Sequence, residues 1–429
     1  MNIKYSKEIS ELVKNSVISE EVASNIESYY KSKQPNATNS LFVIFGILGA
    51  ALVGLGFILI LAHNWDSFPK TLKTFFAFFP LVMGQLLVGY SIFKKKSTTW
   101  REASGTFLFF SVGACIALVS QIYNIPGDLS SYLLTWIFLC VPLIYLLKSK
   151  AVAFLHIVFA TYYACEYGYS FFSTSHAPWY FLLMLALLIP YYLTLLKKQP
   201  TANVTSIFNW LIPLSLIITL GAFIDKMDSL GFLMYVILFG LFYNIGKIPF
   251  FDSQKLRRNG YLVFGSFGTI VLLMILSFRI VWEDIKIEYI FSQELLISII
   301  LFAAALGLVF YAHSKKQVKQ LNLFRYVFVI ISVLFFIQFG KTVIPTVLIN
   351  LIILSLGLIA IKIGSERVHF GILNYGLLII TALIICRFFD TDMSFVLRGI
   401  LFVGVGVGFF FTNYLMLKKQ KKSHNNIDI

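Results

Sequence analysis

The chain has 429 residues, is 58% hydrophobic and only 13% charged, and has a mean hydropathy of +0.82. A soluble globular domain carries about 25% charged residues, so this composition excludes a disordered chain and an ordinary soluble enzyme. The net charge of +15 sits in short basic loops between apolar runs, a pattern of membrane topology rather than of a nucleic-acid-binding surface.

Residues 1–40 are the one polar stretch of any size, and no cleavable leader is expected ahead of the first apolar run. Ile9, Leu12 and Val13 recur at helical spacing. Ile18-Ser19-Glu20-Glu21 predicts a helix start, with Ser19 as the N-cap and two acids in the first turn. Val22, Ile26 and Tyr29 continue one face, and Gln34-Pro35-Asn36-Ala37-Thr38 forms a linker. A cytosolic cap lying on the membrane is the plain reading. A docking module, with residues 1–35 meeting a cytosolic or membrane protein partner, is the alternative.

From residue 41 onward the chain reads as about fourteen apolar segments of membrane-crossing length, which takes about 20 residues per helix. They fall at 41–62, 71–93, 103–124, 131–147, 151–168, 178–196, 206–223, 229–246, 259–278, 294–312, 323–340, 344–363, 370–389 and 395–417. Period-2 alternation is absent, so the expected fold is all-α: a polytopic membrane helix bundle with about 14 transmembrane helices. With the N-terminus in the cytoplasm, 27 of the 35 basic residues fall on the inner side. The positive-inside rule therefore predicts cytoplasmic N- and C-termini. The expected organisation is a cytosolic region over 1–40, a first transmembrane region over 41–200 and a second over 201–429 with a basic tail.

Two outer loops look alike. His63-Asn64-Trp65-Asp66-Ser67-Phe68-Pro69 closes the first segment, and Ser120-Gln121-Ile122-Tyr123-Asn124-Ile125-Pro126-Gly127-Asp128 closes the third. Each combines an aromatic, an Asn, a Pro and an Asp after a helix rich in small residues. With the Trp100-Arg101-Glu102 step between them, and the polar helical N-terminus ahead of them, residues about 1–200 resemble the bacterial membrane proteins grouped as domain-of-unknown-function family 2157. The residues that carry the resemblance are Asn64-Trp65, Ser120-Gln121-Ile122-Tyr123 and Gly127-Asp128. It implies a multi-pass protein of the bacterial inner (cytoplasmic) membrane and implies no activity.

Polar groups placed in lipid are expensive and are therefore candidate sites. Three constellations stand out. Glu166, His156 and Tyr163 lie within roughly a quarter turn of one another at 100° per residue, and a carboxylate and imidazole there suit proton relay or cation binding; the plain alternative is that Glu166 sits at the outer, watery end. His63, Asn64, Trp65, Asp66, Gln121, Tyr123 and Asp128 (with Asn124) suggest an outward pocket between the paired loops, or simply helix caps and an aromatic belt. Arg387, Asp390, Asp392 and Arg398 suggest an ion cluster locking the last hairpin, with Arg398 paired to one of the two acids.

The lone amides Gln85, Asn244, Gln338, Asn350 and Asn374 read as interhelical hydrogen bonders. The rows Gly46/Ala50/Gly54 and Gly404/Gly406/Gly408 read as close helix packing. HExxH, GxSxG and CxxC are absent, and Gly340-Lys341-Thr342 lacks the rest of a phosphate loop. Cys115, Cys140, Cys165 and Cys386 lie in apolar segments, so no disulfide framework and no metal site is expected. No enzyme activity, cofactor or nucleic-acid partner is expected; membrane lipids are. Transport or handling of a lipidic or amphipathic molecule is the expected function, because almost no soluble mass is present and buried charge is sparse. The alternatives are a structural or sensory protein acting through its N-terminal module, and an intramembrane enzyme using Glu166 and His156.

Overall fold

The computed structural model describes residue 9 and residues 11–33, 65–169, 176–224, 228–285, 292–316, 322–337, 343–390 and 395–425. Among these there is no strand. The chain divides into two compact units, Met1–Phe76 and Ala77–Ile429.

In the first unit, residues 11–14 are helical and the chain turns at Ser16, whose φ of 58° lies in the left-handed region. Helix α1 (Glu20–Lys33) starts as the sequence predicts: Glu20 and Glu21 occupy its first turn, and the Ser19 hydroxyl accepts the Val22 N–H at 3.3 Å. The inward residue is Ala23, while Val22 and Leu12 are exposed. A single 3-10 turn, Trp65–Ser67, precedes α2 (Lys70–Phe93). The first expected span, 41–62, lies outside the described residues, as does the Gly46/Ala50/Gly54 row.

Each of the other thirteen expected spans holds a helix among its described residues. After α2 come α3 (Thr98–Tyr123), α4 (Leu129–Leu147), α5 (Lys150–Gly168), α6 (Trp179–Lys198) and α7 (Asn203–Leu220). They are followed by α8 (Asp228–Gly246), α9 (Gly260–Leu276), α10 (Gln293–Ser314), α11 (Val327–Ile337), α12 (Val343–Glu366), α13 (Phe370–Asp390) and α14 (Phe395–Asn425). Nine of the described helices (α2, α3, α4, α6, α7, α8, α10, α12 and α13) are long and apolar enough to cross a membrane. Of the expected 323–340 segment the structure describes α11, with 11 residues; residues 338–340 lie outside the described residues. The turn Leu323–Arg325 precedes it.

Polar side chains at the helix starts set the boundaries. Asp128, Ser149, Asn259 and Ser292 each accept a backbone N–H from the first turn of α4, α5, α9 and α10, which satisfies donors that lipid leaves without water. Asn124 and Lys148 close α3 and α4 in the left-handed conformation.

A main core runs through the second unit, from Val88 to Leu383, without a break at residue 200, and a small second cluster holds Leu373 and Leu377. The first part of the main core is aromatic: Trp136 lies 4.6 Å from Phe159 between ring centroids, and its Nε1 donates to the Phe109 carbonyl at 2.7 Å. Its second part is built around α8, 72% of which is buried, against 22–50% for the other eight membrane-length helices. Helices α8 and α9 approach at Gly265, where a Cβ would sit 2.3 Å from the Tyr243 nitrogen. Helices α12 and α13 approach at Gly364, where a Cβ would sit 2.4 Å from the Leu373 nitrogen. Small residues let backbones meet where lipid provides no hydrophobic drive between helices. The Gly404/Gly406/Gly408 row does not act this way. A Cβ at any of the three meets nothing within 4 Å.

Candidate functional site

Three basic loops, widely separated in sequence, converge within the second unit. The first follows α8. Asn259 is buried and fastens this loop: its Nδ2 donates to the Gly246 and Phe251 carbonyls at 2.9 and 3.1 Å, and its Oδ1 accepts the Leu262 N–H at 3.0 Å. Lys247 at the loop's start pairs with Asp252 at 2.8 Å. The second is the turn before α11. Asn322 Oδ1 accepts the Phe324 N–H at 3.1 Å, and Asn322 Nδ2 donates to Tyr243 Oη at 2.8 Å. Tyr243 stacks on Phe324 with centroids 5.3 Å apart. Asn244 Nδ2 donates to the Arg325 carbonyl at 3.2 Å. The third is the end of α12 with the short turn to α13: Lys362 and Glu366 lie in the last turns of α12, and Arg367 in the turn itself. The Ser266 hydroxyl of α9 donates to Tyr375 Oη of α13 at 3.0 Å across the same space.

Together these elements line a cavity of about 1140 Å³. Leu262, Val263 and Phe267 of α9, and Ile359, Ala360 and Ile363 of α12, form apolar walls; Lys247, Asp252, Arg325, Lys362, Glu366 and Arg367 supply the charge. Arg325 differs from the rest. It is only 7% exposed, and among the described residues its guanidinium has neither a hydrogen-bond acceptor nor a carboxylate partner. Asp252 is engaged by Lys247. The arrangement is an apolar trough with an uncompensated cation in its wall, larger than the roughly 300–1,000 Å³ of ordinary ligand pockets. A smaller groove of about 310 Å³, lined by Leu233, Ile237, Ser298, Phe302 and Phe336 among others, has no charged residue in its lining.

The structure separates the first sequence constellation. His156 and Tyr163 are each 1% exposed, and His156 Nε2 meets the Met184 carbonyl at 2.9 Å. Glu166 is exposed. The roughly 80° it lies from His156 around the helix axis, at 100° per residue, takes it off the buried face and away from a shared site. Among the described residues no three His, Cys, Asp or Glu side chains converge as metal ligands.

Of the outer-loop residues, His63 and Asn64 lie outside the described residues. Trp65 is half-buried, with Lys73 5.8 Å from its ring centroid, and Asp66 is exposed. In the other loop Gln121 and Tyr123 are exposed and Asn124 is the left-handed cap. Asp128 is committed to α4: it accepts Ser131 N and Ser131 Oγ, both at 2.8 Å, and those bonds hold its carboxyl below the usual carboxylate range. Arg387 Nη2 donates to Ser277 Oγ at 3.0 Å, and its guanidinium lies 5.0 Å from the Phe278 ring centroid. Asp392 and the side chains of Asp390 and Arg398 lie outside the described residues.

Among the lone amides, Asn244 reaches Arg325, Asn350 Nδ2 reaches the Ser277 carbonyl at 3.3 Å, and Asn413 Nδ2 donates to Asn374 Oδ1 at 3.1 Å. These are interhelical bonds of the expected kind. Gln85 is exposed, and Gln338 is outside the described residues. Sequence reasoning missed the role of Glu102. Its carboxylate accepts the Lys150 and Ala151 N–H groups at 2.9 and 3.0 Å and the Ser149 hydroxyl, so an acid on α3 caps α5. An anion at a helix N-terminus is the arrangement the backbone dipoles favour.

Residues 10–153 match the model of the family described as predicted membrane protein (DUF2157). The resemblance of the N-terminal third is thereby shown, and it ends before the cavity-lining residues begin. No curated protein matches the chain, and no solved structure matches it.

Proposed function

We propose that this chain binds and moves a lipidic or amphipathic molecule in a bacterial inner membrane, without enzymatic chemistry. The observation that carries the reading is the convergence of apolar walls and charged loops on one cavity of about 1140 Å³. A purely polar solute gains nothing from walls of Leu, Val, Phe and Ile, and a pure hydrocarbon gains nothing from six charged groups. An amphiphile uses both. The cavity lies beside the loop around residues 247–256, the turn at 322–325 and the α12–α13 turn, all of which the positive-inside rule assigns to the cytoplasm. The site is accordingly read as opening on that side, in a bundle of about fourteen crossings with both termini cytoplasmic. That arrangement suits capture or release of an amphiphile at the inner leaflet.

The test is reconstitution of the purified chain into liposomes carrying a fluorescent lipid analogue in one leaflet, with a trapped small polar dye as the second probe. The reading expects the lipid to equilibrate faster than in protein-free vesicles while the dye stays trapped. Rates equal to those of empty vesicles for both probes refute transport. Passage of the dye alone points to an aqueous pore instead.

A further inference from the structure

We infer that Arg325 is the recognition point for an anionic phosphate headgroup, and that the ligand of the cavity is an anionic phospholipid. This rests on the cavity being an amphiphile site, and it adds the sign and chemistry of the headgroup.

A guanidinium stays protonated in a protein, so Arg325 cannot lower the cost of burial by losing its charge. It is 7% exposed and lines the cavity. Buried cations are ordinarily paired, because an uncompensated charge in a low-dielectric setting is expensive. The two acids on the same cavity do not serve it. Asp252 is taken by Lys247 at 2.8 Å, and Glu366 forms no ion pair with Arg325 among the described residues. Counting the remaining charges on the lining, Arg325, Lys362 and Arg367 face only Glu366, so the site as a whole is cationic.

The position of Arg325 is also held rather than free. Its carbonyl accepts Asn244 Nδ2 at 3.2 Å, and its N–H donates to the Asn322 carbonyl at 3.0 Å. Tyr243, Phe324 and Asn322 brace the same turn. A planar fork of donors on a fixed backbone matches the oxygens of a phosphate. Val263 and Phe267 of α9 and Ile363 of α12 continue the cavity as hydrocarbon, which is the surface an acyl chain requires beside that headgroup. A free phosphate would leave it unused.

The experiment uses the full-length chain in a neutral detergent, with bound lipid counted by native mass spectrometry. Titrants are phosphatidylglycerol, phosphatidylcholine and glycerol 3-phosphate. Phosphatidylglycerol should bind at least about tenfold more tightly than phosphatidylcholine, the scale of one charge-assisted contact. Arg325→Gln should erase that preference, and Arg325→Lys should keep part of it. Equal retention of both lipids, or a preference that survives Arg325→Gln, overturns the headgroup assignment while leaving the amphiphile reading intact. Glycerol 3-phosphate binding as tightly as phosphatidylglycerol overturns the lipid in favour of a soluble phosphate. Failure of either lipid to bind above detergent background removes the amphiphile reading itself. If Arg325→Gln does not elute as a monodisperse protein, the exposed pair Lys362→Gln/Arg367→Gln replaces it. Weakened phosphatidylglycerol binding is then expected, and unchanged binding overturns the inference.

Discussion

The side-chain amide of Asn244 donates to the backbone carbonyl of Arg325 at 3.2 Å and to the Gly240 carbonyl, one turn back on its own helix, at 2.9 Å. It ties α8 to the turn that carries Arg325, a cation with no carboxylate partner among the described residues. Asn244→Ala removes that tie and leaves a buried carbonyl without a donor. The expected cost is about 1–2 kcal/mol, read as earlier thermal unfolding in detergent, together with a smaller difference between anionic and zwitterionic lipid binding. Unchanged selectivity in a destabilised protein would separate the scaffold role from the site.

Glu102 is the second fastening, at the start of α5. Glu102→Ala exposes the Lys150 and Ala151 N–H groups and the Ser149 hydroxyl that its carboxylate accepts. Hydrogen bonds to a charged group contribute about 1.5–3 kcal/mol, so a loss of about 2 kcal/mol is expected for this half-buried carboxylate. Glu102→Gln should recover part of it. Circular-dichroism melts of the three proteins distinguish the outcomes: an alanine variant as stable as the parent would show that water or a neighbour takes over the cap.

Glycine positions in α9 and α10 should respond in opposite ways. At Gly265 a Cβ meets the Tyr243 nitrogen at 2.3 Å, whereas at Gly307 nothing lies within 4 Å. Gly265→Ala should cost about 1–3 kcal/mol through overpacking against backbone that has no room to move. Gly307→Ala should be neutral or stabilise by up to about 1 kcal/mol, the helix-propensity difference. Equal melting temperatures for the two variants would contradict the close α8–α9 approach.

The Asp128 cap gives a pH signature. The Ser131 hydrogen bonds lower its folded pKa. The resulting stabilisation is present above the unfolded carboxylate value of about 3.9 and is lost as pH falls through the lower folded value. At neutral pH Asp128→Ala should cost about 1 kcal/mol, the usual value of an N-cap. The stability gap between the parent and Asp128→Asn, which keeps the cap geometry without the charge, should narrow as pH drops below about 4. A gap that is constant with pH would mean that the charge contributes nothing.

Much of the scaffold was legible from residue order. Hydropathy located thirteen described helices because a membrane helix is apolar over most of its length; α14 departs most, running on past the expected 417 through its basic tail to Asn425. Ser19 and Asp128 were legible as caps because capping is local. The cavity was not legible, for a physical reason. Lys247, Arg325 and Arg367 sit in short basic connections and Lys362 in the last turns of α12, where a topology signal and a binding group have the same appearance in one dimension. Their meeting depends on how α8, α9, α11, α12 and α13 pack. Glu102 was hidden likewise, since its partners on α5 are nearly fifty residues away. Glu166 left two readings open in the sequence, a site shared with His156 or a watery helix end, and its exposure sets it apart from His156, because a rotation of about 80° around a helix is small in a sequence pattern and large in burial.

The account's central claim is that the cavity holds an amphiphile, and lipid photocrosslinking tests it most directly. A photoreactive amino acid is placed at Phe267 or Ile363 on the cavity lining, and for comparison at Phe310, which is 77% exposed on the side of α10. Each protein is titrated with a tagged anionic lipid in nanodiscs of otherwise neutral lipid. A bound ligand predicts adducts at Phe267 and Ile363 that saturate at low tagged-lipid content, while those at Phe310 rise linearly. Adducts that rise linearly and in parallel at all three positions would contradict a binding site and leave the cavity filled by bulk lipid.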